Sequence, residues 1–271
     1  MTRLTDDMVK DIIASLGSTD RMLVSLTGMN TLELACDAVG ITPDMIDLRG
    51  IRVGVVPVTS GLGVIRKFSE SVAEIVRNLG MESAVTEASD VAGLAEALSA
   101  GCEIVFMADD VQFIAVNTKN GRHSDNSFST AAGYVSALKG AAGGLADRKV
   151  LVLGAGRVGG TAAELMVSMH AEVTVYDTDR KKSEDLSRRV GIKIADDLGD
   201  ALLSHDLVFN ASPAPISSDN IREGSVFSSP GIPFPFDDTG IKKTKAIIHD
   251  PLDIGAAVMA VQSASFSRLK P

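Results

Sequence analysis

Aromatic side chains are scarce in this chain of 271 residues, which has no tryptophan, two tyrosines and nine phenylalanines. A surface of stacked aromatic rings for single-stranded nucleic acid is therefore not expected. Basic residues are also in deficit, since 26 Lys and Arg stand against 35 Asp and Glu and leave a formal net charge of −9. This charge argues against nucleic acid and against an anionic membrane surface as partners.

Cysteine and histidine are equally sparse. The two cysteines, Cys36 and Cys102, have neither metal-site nor redox-motif spacing, so we expect buried thiols and a reducing, cytoplasmic location. The four histidines are scattered, and no metal is expected. No apolar run is long enough to cross a bilayer, and the N-terminus lacks the apolar core of a signal peptide.

Glycine is plentiful, and three glycines follow an apolar strand in the stretch Val150-Leu-Val-Leu-Gly-Ala-Gly-Arg-Val-Gly159. A helix pattern comes next, and then a second strand, Glu172-Val-Thr-Val-Tyr-Asp177. This order predicts a dinucleotide-binding unit. Gly154 permits the tight turn, Gly156 lets the backbone approach the pyrophosphate, and Gly159 lets the helix pack on the strand. The alternative is a glycine turn that serves packing alone.

The acid at the end of the second strand predicts the choice of cofactor. A carboxylate at Asp177 accepts hydrogen bonds from the ribose hydroxyls of NAD and repels the 2′-phosphate of NADP, so we expect NAD. The basic residues at 180–182 argue instead for NADP, whose 2′-phosphate they could bind. The alternative is that they form the solvated first turn of the next helix. The other residues expected at the cofactor are Arg157, Val158, Ala211, Ser212 and Pro230.

The alternation of elements predicts an α/β protein with two domains and a cleft between them. Residues 1–143 are expected to form N-terminal helices and a smaller parallel α/β domain that binds substrate. Residues 144–271 are expected to form a Rossmann NAD-binding domain. Within the first domain, one helix is predicted from Thr5 to about Ser15, and Asn30 with Thr31 can cap another. A long helix is expected to begin near Val64.

Two segments between the predicted elements are irregular in composition. The polar stretch 116–128 is expected to be a functional loop or a domain connection. A helix at 129–140 then leads into glycines at 140–144, which suit a hinge into the second domain. That domain is expected to continue with strands at 190–194, 206–210, 225–228 and 246–249, and to close with an apolar helix at 255–269.

Candidate substrate residues follow strands of the first domain, because ligands of parallel sheets lie beyond the carboxyl ends of the strands. The hydroxyl of Ser60 either positions a polar substrate group or caps a helix, and both readings are open. Asp109 or Asp110 is expected to bind or deprotonate an amine, with a solvated helix cap as the alternative. Asn126 either contacts substrate or shapes its loop. Val58 and Phe68 are candidates for an apolar slot, with core packing as the alternative.

Several of these stretches together resemble the pyrrolysine synthase family. The more specific elements are Val-Pro-Val-Thr-Ser-Gly, ending at Gly61, and Met-Ala-Asp-Asp, ending at Asp110, because the glycine loop alone would fit many dehydrogenases. The match runs, with gaps, from the first helices to Pro251-Leu-Asp-Ile-Gly255. The other matching stretches are Phe68-Ser69, Asn117-Thr-Lys-Asn-Gly121, Gly154-Ala-Gly-Arg-Val-Gly159 and Ser229-Pro-Gly-Ile-Pro233.

The resemblance implies the final step of pyrrolysine biosynthesis, with lysine-Nε-(3R)-3-methyl-D-ornithine as substrate. NAD⁺ takes a hydride from the carbon that bears the side-chain amine, ammonia leaves, and a pyrroline ring closes. The resemblance also implies that the first helix folds over the substrate as a lid. The pocket positions it implies are Leu4, Val58, Ser60, Phe68, Asp109 and Asn126, with Asp109 and Ser60 in the chemistry.

Two other functions remain open from the sequence. One is a different small NAD-linked enzyme, such as an amino-acid dehydrogenase or a cyclodeaminase. The other is a non-catalytic NAD-binding sensor, which would bind the cofactor without turnover. A homodimer is one assembly that the sequence allows.

Overall fold

A computed structural model describes residues 4–270. In this part of the chain the helices are α1 Asp6–Val9, α2 Ile12–Thr27, α3 Thr31–Ala38, α4 Phe68–Asn78, α5 Asp90–Ser99, α6 Asn126–Ala142, α7 Arg157–Ser168, α8 Arg180–Val190, α9 Leu198–Ser204, α10 Asp238–Lys243 and α11 Asp253–Arg268. The strands are β1 Arg52–Val56, β2 Glu82–Val85, β3 Ile104–Ala108, β4 Phe113–Asn117, β5 His123–Asp125, β6 Lys149–Leu153, β7 Glu172–Tyr176, β8 Lys193–Ile194, β9 Leu207–Asn210, β10 Val226–Ser228 and β11 Ala246–Ile248.

These elements form two compact units. Among the described residues, the first unit takes those up to Met22, Asn30–Gly133 and those from Pro251 onwards, and the second takes Leu23–Met29 and Tyr134–Asp250. The expected division at 143/144 is therefore corrected in two ways. The chain passes between the units within α6, ahead of the expected glycine hinge. Helix α11 also belongs to the first unit, because its apolar residues lie in that unit's core.

The first unit contains a five-stranded mixed sheet in the order β2-β1-β3-β4-β5. The pairs of β1 with β2 and with β3 are parallel, as predicted. Strands β4 and β5 are antiparallel to their neighbours and extend this parallel sheet by a hairpin that the sequence did not predict. Most of the polar stretch predicted as a loop is this hairpin. Its buried Asn117 is satisfied because its amide donates to Ser263 O at 2.9 Å and Ser267 Oγ at 2.7 Å on α11.

The second unit contains a six-stranded sheet in the order β11-β10-β9-β6-β7-β8, and every neighbouring pair is parallel. The central strand β6 is buried from Val150 to Leu153, which explains its continuous apolar sequence. Helices α7 and α8 pack on β7. The predicted Rossmann fold is confirmed.

The helices of the first unit differ from the prediction at their ends. The expected helix from Thr5 to Ser15 is two helices, and the second runs on to Thr27. The helix cap predicted at Asn30 is present, since its side chain accepts from the N–H of Glu33, and the Glu33 side chain completes a capping box by accepting from the Asn30 N–H. Helix α4 begins at Phe68 rather than Val64, because Lys67 before it has a left-handed φ of 66°. Between residues 4 and 270, the structure has no helix that meets the length and apolarity needed to cross a membrane.

Candidate dinucleotide and substrate sites

The glycine loop after β6 has the geometry of a dinucleotide site. Gly154 has a φ of +92°, and a Cβ on it would lie 3.2 Å from the Ala211 carbonyl oxygen. A Cβ on Gly159 would lie 1.8 Å from the Gly154 carbonyl oxygen, so that close contact requires glycine. A Cβ on Gly156, the N-cap of α7, would meet nothing within 4 Å. The loop therefore leaves open space at the α7 N-terminus, where N–H groups bind phosphates.

Asp177 follows β7 and lies against this loop. Its Oδ2 accepts a hydrogen bond from the N–H of Ala155 at 2.7 Å, and its Oδ1 accepts one from the N–H of Asp179 at 2.8 Å. The carboxylate is thus fixed at the edge where the dinucleotide ribose would lie. In the basic run that follows, Arg180 pairs with Asp196 at 2.8 Å, and Lys182 lies 3.8 Å from Asp179. Both cations have acidic partners of their own, which weakens the argument for a 2′-phosphate.

The loops after β9 and β10 meet at the same edge of the second sheet. Asn210 is fully buried, and its amide nitrogen donates to Ser229 Oγ at 3.0 Å while its Oδ1 accepts from the N–H of Ser212 at 3.1 Å. The N–H of Ala211 donates to Leu153 O at 2.8 Å. These bonds place Ala211, Ser212 and the loop containing Pro230 beside the glycine loop. Sequence reasoning missed the buried amide of Asn210 that joins them.

Three predicted substrate residues share one edge of the first sheet. Ser60 and Asp109 follow the adjacent parallel strands β1 and β3. The chain reverses direction twice between β3 and β5, so the two strands run the same way. The last residue of β5, Asp125, pairs with Ile114 on β4, and Ile114 pairs with Met107 on β3. Asn126 therefore follows β5 at the same edge. The hairpin that the sequence did not predict is what brings it there.

Ser60 lies exposed in the turn after β1. The alternative reading as a helix cap is wrong, because α4 begins at Phe68 with Lys67 as its N-cap residue. Asn126 opens α6, where its Oδ1 accepts a hydrogen bond from the Thr130 hydroxyl at 3.2 Å. Its side chain thus supports the first turn of its own helix, while the residue stays at the shared edge.

Asp109 is exposed and caps the turn between β3 and β4. Its Oδ1 accepts hydrogen bonds from the backbone N–H groups of Val111 and Gln112, both at 2.7 Å. The Gln112 bond first, and then the Val111 bond, lower the pKa of Asp109 below its ordinary value of 3.8. A carboxylate stabilised in this way is a poor proton acceptor. Of the two roles expected for it, these hydrogen bonds favour binding an ammonium group over deprotonating an amine.

The predicted apolar residues lie on the core of the first unit. Phe68 is half-buried and makes an edge-on contact with Phe113, with ring centroids 5.3 Å apart. Leu4 is also half-buried and packs against the same core cluster. Val58 is half-buried after β1. Each side chain therefore has partial exposure beyond its packing contacts.

Comparison with known proteins identifies the family. Residues 8–124 match the model of the N-terminal domain of pyrrolysine biosynthesis protein PylD. The pyrrolysine synthase of Methanosarcina barkeri strain Fusaro is 35% identical over 96% of this chain and 97% of its own length. That of Methanosarcina acetivorans is 34% identical over 96% of this chain and 98% of its own. The chain belongs to the pyrrolysine synthase family.

The second unit has independent support as a dehydrogenase domain. Residues 123–210 match the model of the alanine dehydrogenase/PNT C-terminal domain. A quinate dehydrogenase from Corynebacterium glutamicum, solved with NAD, has a TM-score of 0.55 and 14% identity over 81% of this chain and 95% of that one. A shikimate 5-dehydrogenase from Thermus thermophilus has a TM-score of 0.52 and 17% identity over 82% of this chain and 95% of that one. These identities show a shared fold alone. The family and the match to the dehydrogenase domain model together make this chain a nicotinamide-dependent dehydrogenase of pyrrolysine biosynthesis.

Proposed function

We propose that this enzyme oxidises lysine-Nε-(3R)-3-methyl-D-ornithine and closes the pyrroline ring of pyrrolysine. The geometric observation that carries the proposal is the sheet edge at which Ser60, Asp109 and Asn126 come together. The full-length similarity to pyrrolysine synthases supports the choice of substrate. The reaction removes two hydrogens and one ammonia, since a C=N bond forms at the oxidised carbon and the ornithine α-amine replaces the side-chain amine.

The residues of the glycine loop fit NAD, which when bound supplies the hydride acceptor. The backbone at Gly156, Arg157, Val158 and Gly159 would hold the pyrophosphate at the α7 N-terminus. Asp177 would hold the adenosine ribose and favour NAD over NADP. The strand-end residues proposed to contact the rest of the cofactor are Ala211, Ser212 and Pro230.

Asp109 is proposed to bind the substrate amine as an ammonium ion. Its lowered pKa keeps the carboxylate charged throughout the neutral range, so the attraction persists at every physiological pH. Solvent water rather than Asp109 then receives the proton that the amine must lose before oxidation. Ser60 is proposed to orient the same end of the substrate through its hydroxyl, and Asn126 to hydrogen-bond a substrate amide or amine.

The apolar part of the substrate would lie against Val58 and Phe68, which are both half-buried. Leu4, just before α1, is proposed to cover it, so that the first helix limits water during ring closure. A fixed position for this helix is supported by Asp6, which accepts a hydrogen bond from the N–H of Arg66 at 3.0 Å. Arg66 lies two residues before Phe68, so α1 is bonded to the segment that leads to the proposed pocket.

Assembly and location are also proposals. The small-molecule substrate is proposed as the only partner besides NAD, and a homodimer is the assembly to test, by light scattering. A cytoplasmic location is supported by Cys36 and Cys102, which are both free thiols.

The deciding experiment mixes the purified enzyme with NAD⁺ and the synthetic substrate and follows NADH by absorbance. Mass analysis should then find a product lighter by ammonia plus two hydrogens. Oxidation without this mass change would contradict coupled ring closure. Binding of NAD without any NADH formation would instead favour a different substrate or a sensor.

A further inference from the structure

The turn that carries Ser60 is bonded on both sides by carboxylates from distant parts of the first unit. Asp90, the first residue of α5, accepts the N–H of Thr59 on Oδ1 at 2.8 Å and the Thr59 hydroxyl on Oδ2 at 2.6 Å. Asp110, in the turn after β3, accepts the N–H of Leu62 on Oδ2 at 2.7 Å. Ser60 lies between the two bonded positions, so its backbone is fixed from both directions.

The backbone at Asp90 is strained to make this contact. Asp90 has a φ of +54°, a left-handed conformation that costs a non-glycine residue free energy. Its own N–H donates to Pro57 O at 2.9 Å. Three hydrogen bonds thus join Asp90 to the segment just before Ser60. The bonds from Thr59, the hydroxyl first and then the N–H, lower the pKa of Asp90, so its carboxylate is ionised at neutral pH.

The approach of Asp110 depends on the absence of a side chain at Gly61. A Cβ at this position would lie 2.1 Å from Asp110 Oδ2, and Gly61 has a φ of +67°. Glycine therefore serves two purposes, since it adopts the turn conformation and leaves room for the carboxylate. The Ser-Gly-Leu sequence of the turn and the second acid of Met-Ala-Asp-Asp fit each other across 48 residues.

We propose that Asp90 and Asp110 are positioning residues that hold the 59–63 turn so that the Ser60 hydroxyl meets the substrate. The proposal rests on the substrate-binding role proposed above for Ser60. It also gives the two neighbouring acids different tasks. Asp109 caps its own turn and presents charge to the substrate amine, whereas Asp110 reaches across to the turn after β1. Together they couple the two loops that meet the substrate from β1 and β3.

The test compares steady-state kinetics of Asp90→Ala and Asp110→Ala with those of the wild type. Loss of either anchor should raise KM for the substrate by about tenfold, because bonds to a charged group are lost and binding must then order the turn. NAD affinity should stay unchanged. Asp110→Asn keeps an oxygen for the Leu62 N–H and should recover most of the lost affinity. If Asp90→Ala fails to fold, Asp90→Asn takes its place in the kinetic comparison, because it keeps an acceptor for Thr59.

The matched control is Asp47→Ala. Asp47 also accepts a backbone N–H, that of Arg49 at 3.1 Å, but it precedes β1 and so lies at the opposite edge of the sheet. Its removal should leave KM unchanged. A rise in KM as large as that of the anchor variants would show a general stability effect and overturn the proposal. So would an Asp90→Ala effect that persists undiminished in a Ser60→Ala background, because the residue would then act independently of Ser60.

A second readout does not depend on substrate. Arg66 and Lys67 are exposed and follow the 59–63 turn after two residues, so trypsin cleavage after them reports how firmly the segment is held. The anchor variants should be cut faster than the wild type and Asp47→Ala. Equal cutting rates would overturn the proposed anchoring. Failure of the proposed function would appear differently, as a wild-type enzyme that makes no NADH from the substrate while the cutting rates still differ.

Discussion

The carboxylate of Asp177 and the backbone N–H of Ala155 are joined by a hydrogen bond of 2.7 Å. The end of β7 is thereby bonded to the glycine loop that follows β6, 22 residues earlier. The acid proposed to select the cofactor is part of the same rigid structure as the loop proposed to hold the phosphates.

Replacement of Asp177 by alanine should reduce the preference for NAD over NADP by about tenfold or more. The reason is that the variant loses both the ribose acceptor and the repulsion of a 2′-phosphate. Affinities for the two cofactors, measured by calorimetry, check this. Asp197→Ala is the control, since Asp197 caps α9 by accepting from the N–H of Asp200 at 2.9 Å and has no part in the proposed cofactor site. An unchanged NAD/NADP ratio in Asp177→Ala would refute the assignment.

Alanine at Gly156 and alanine at Gly159 should have opposite consequences. At Gly156 the new methyl group meets no protein atom, so the fold should persist while NAD binding weakens because the methyl occupies the phosphate space. At Gly159 it would overlap the Gly154 carbonyl, so the melting temperature should fall by several degrees. Thermal unfolding and NAD titration separate the two. Equal loss of stability in both variants would contradict the open space at Gly156.

Asp109→Ala should remove measurable turnover and leave NAD affinity largely intact, because the lost charge belongs to the substrate site. Since the pKa of Asp109 lies below 3.8, its carboxylate stays ionised as the pH falls from about 8 to about 5. Any acid limb of the wild-type kcat/KM profile in that window should therefore come from another group. A comparison with Asp109→Glu tests this, and a limb whose midpoint moves with the substitution would return Asp109 to the role of base.

Glu103 should make stability depend on pH at the acid end. It is 5% exposed, accepts three hydrogen bonds from Arg268, and lies 2.5 Å from the Lys119 ammonium. The Arg268 bonds are the largest cause lowering its pKa from 4.5 to about 2. The contribution of Glu103 to the free energy of unfolding is thus fully present above its pKa in the unfolded chain, about 4.5. It is lost as the pH falls from about 4.5 towards 2.

The corresponding variant is Glu103→Ala, which should lower the free energy of unfolding at neutral pH by about 2–3 kcal/mol. Urea unfolding at about pH 7 and at about pH 3 checks this, and the difference between wild type and variant should shrink at the lower pH. A constant difference would mean that burial of the side chain, rather than its charge, stabilises the protein.

The first helix offers a test of the proposed lid. Asp6→Ala removes the acceptor for the Arg66 N–H and should raise KM for the substrate a few-fold, because α1 is held less firmly over it. Asp7→Ala is the matched control on the same helix, since Asp7 is exposed and pairs with the exposed Lys10 at 3.1 Å. Equal effects of the two variants would contradict a specific role for Asp6.

The second unit could be predicted from sequence because its signals are local. Gly159 is constrained by the Gly154 carbonyl within the same strand–loop–helix unit, and Gly154 is constrained by Ala211 at the end of the neighbouring strand β9. Continuous apolar strands such as β6 likewise follow from burial on both faces. The acid at Asp177 needed only the register of β6 and β7, which short connections enforce.

In the first unit, the structure of the 116–128 stretch and the position of Asn126 could not be predicted from the sequence, because both depend on tertiary contacts. The 116–128 stretch looked like a loop because its polar residues find hydrogen bonds only when α11, 135 to 146 residues later, packs on the hairpin. The same hairpin brings Asn126 to the edge with Ser60 and Asp109.

The sequence by itself determined the dinucleotide loop, its acid and the family resemblance, because each depends on neighbours along the chain. Only the tertiary structure decided which hydrogen bonds the two adjacent acids accept. The sequence left open whether Asp109 binds or deprotonates an amine, and in the structure two backbone N–H groups stabilise its charge. Asp110 reaches a turn 48 residues away. Neither partner can be inferred from spacing, because hydrogen bonds between distant segments exist only after the sheet has formed.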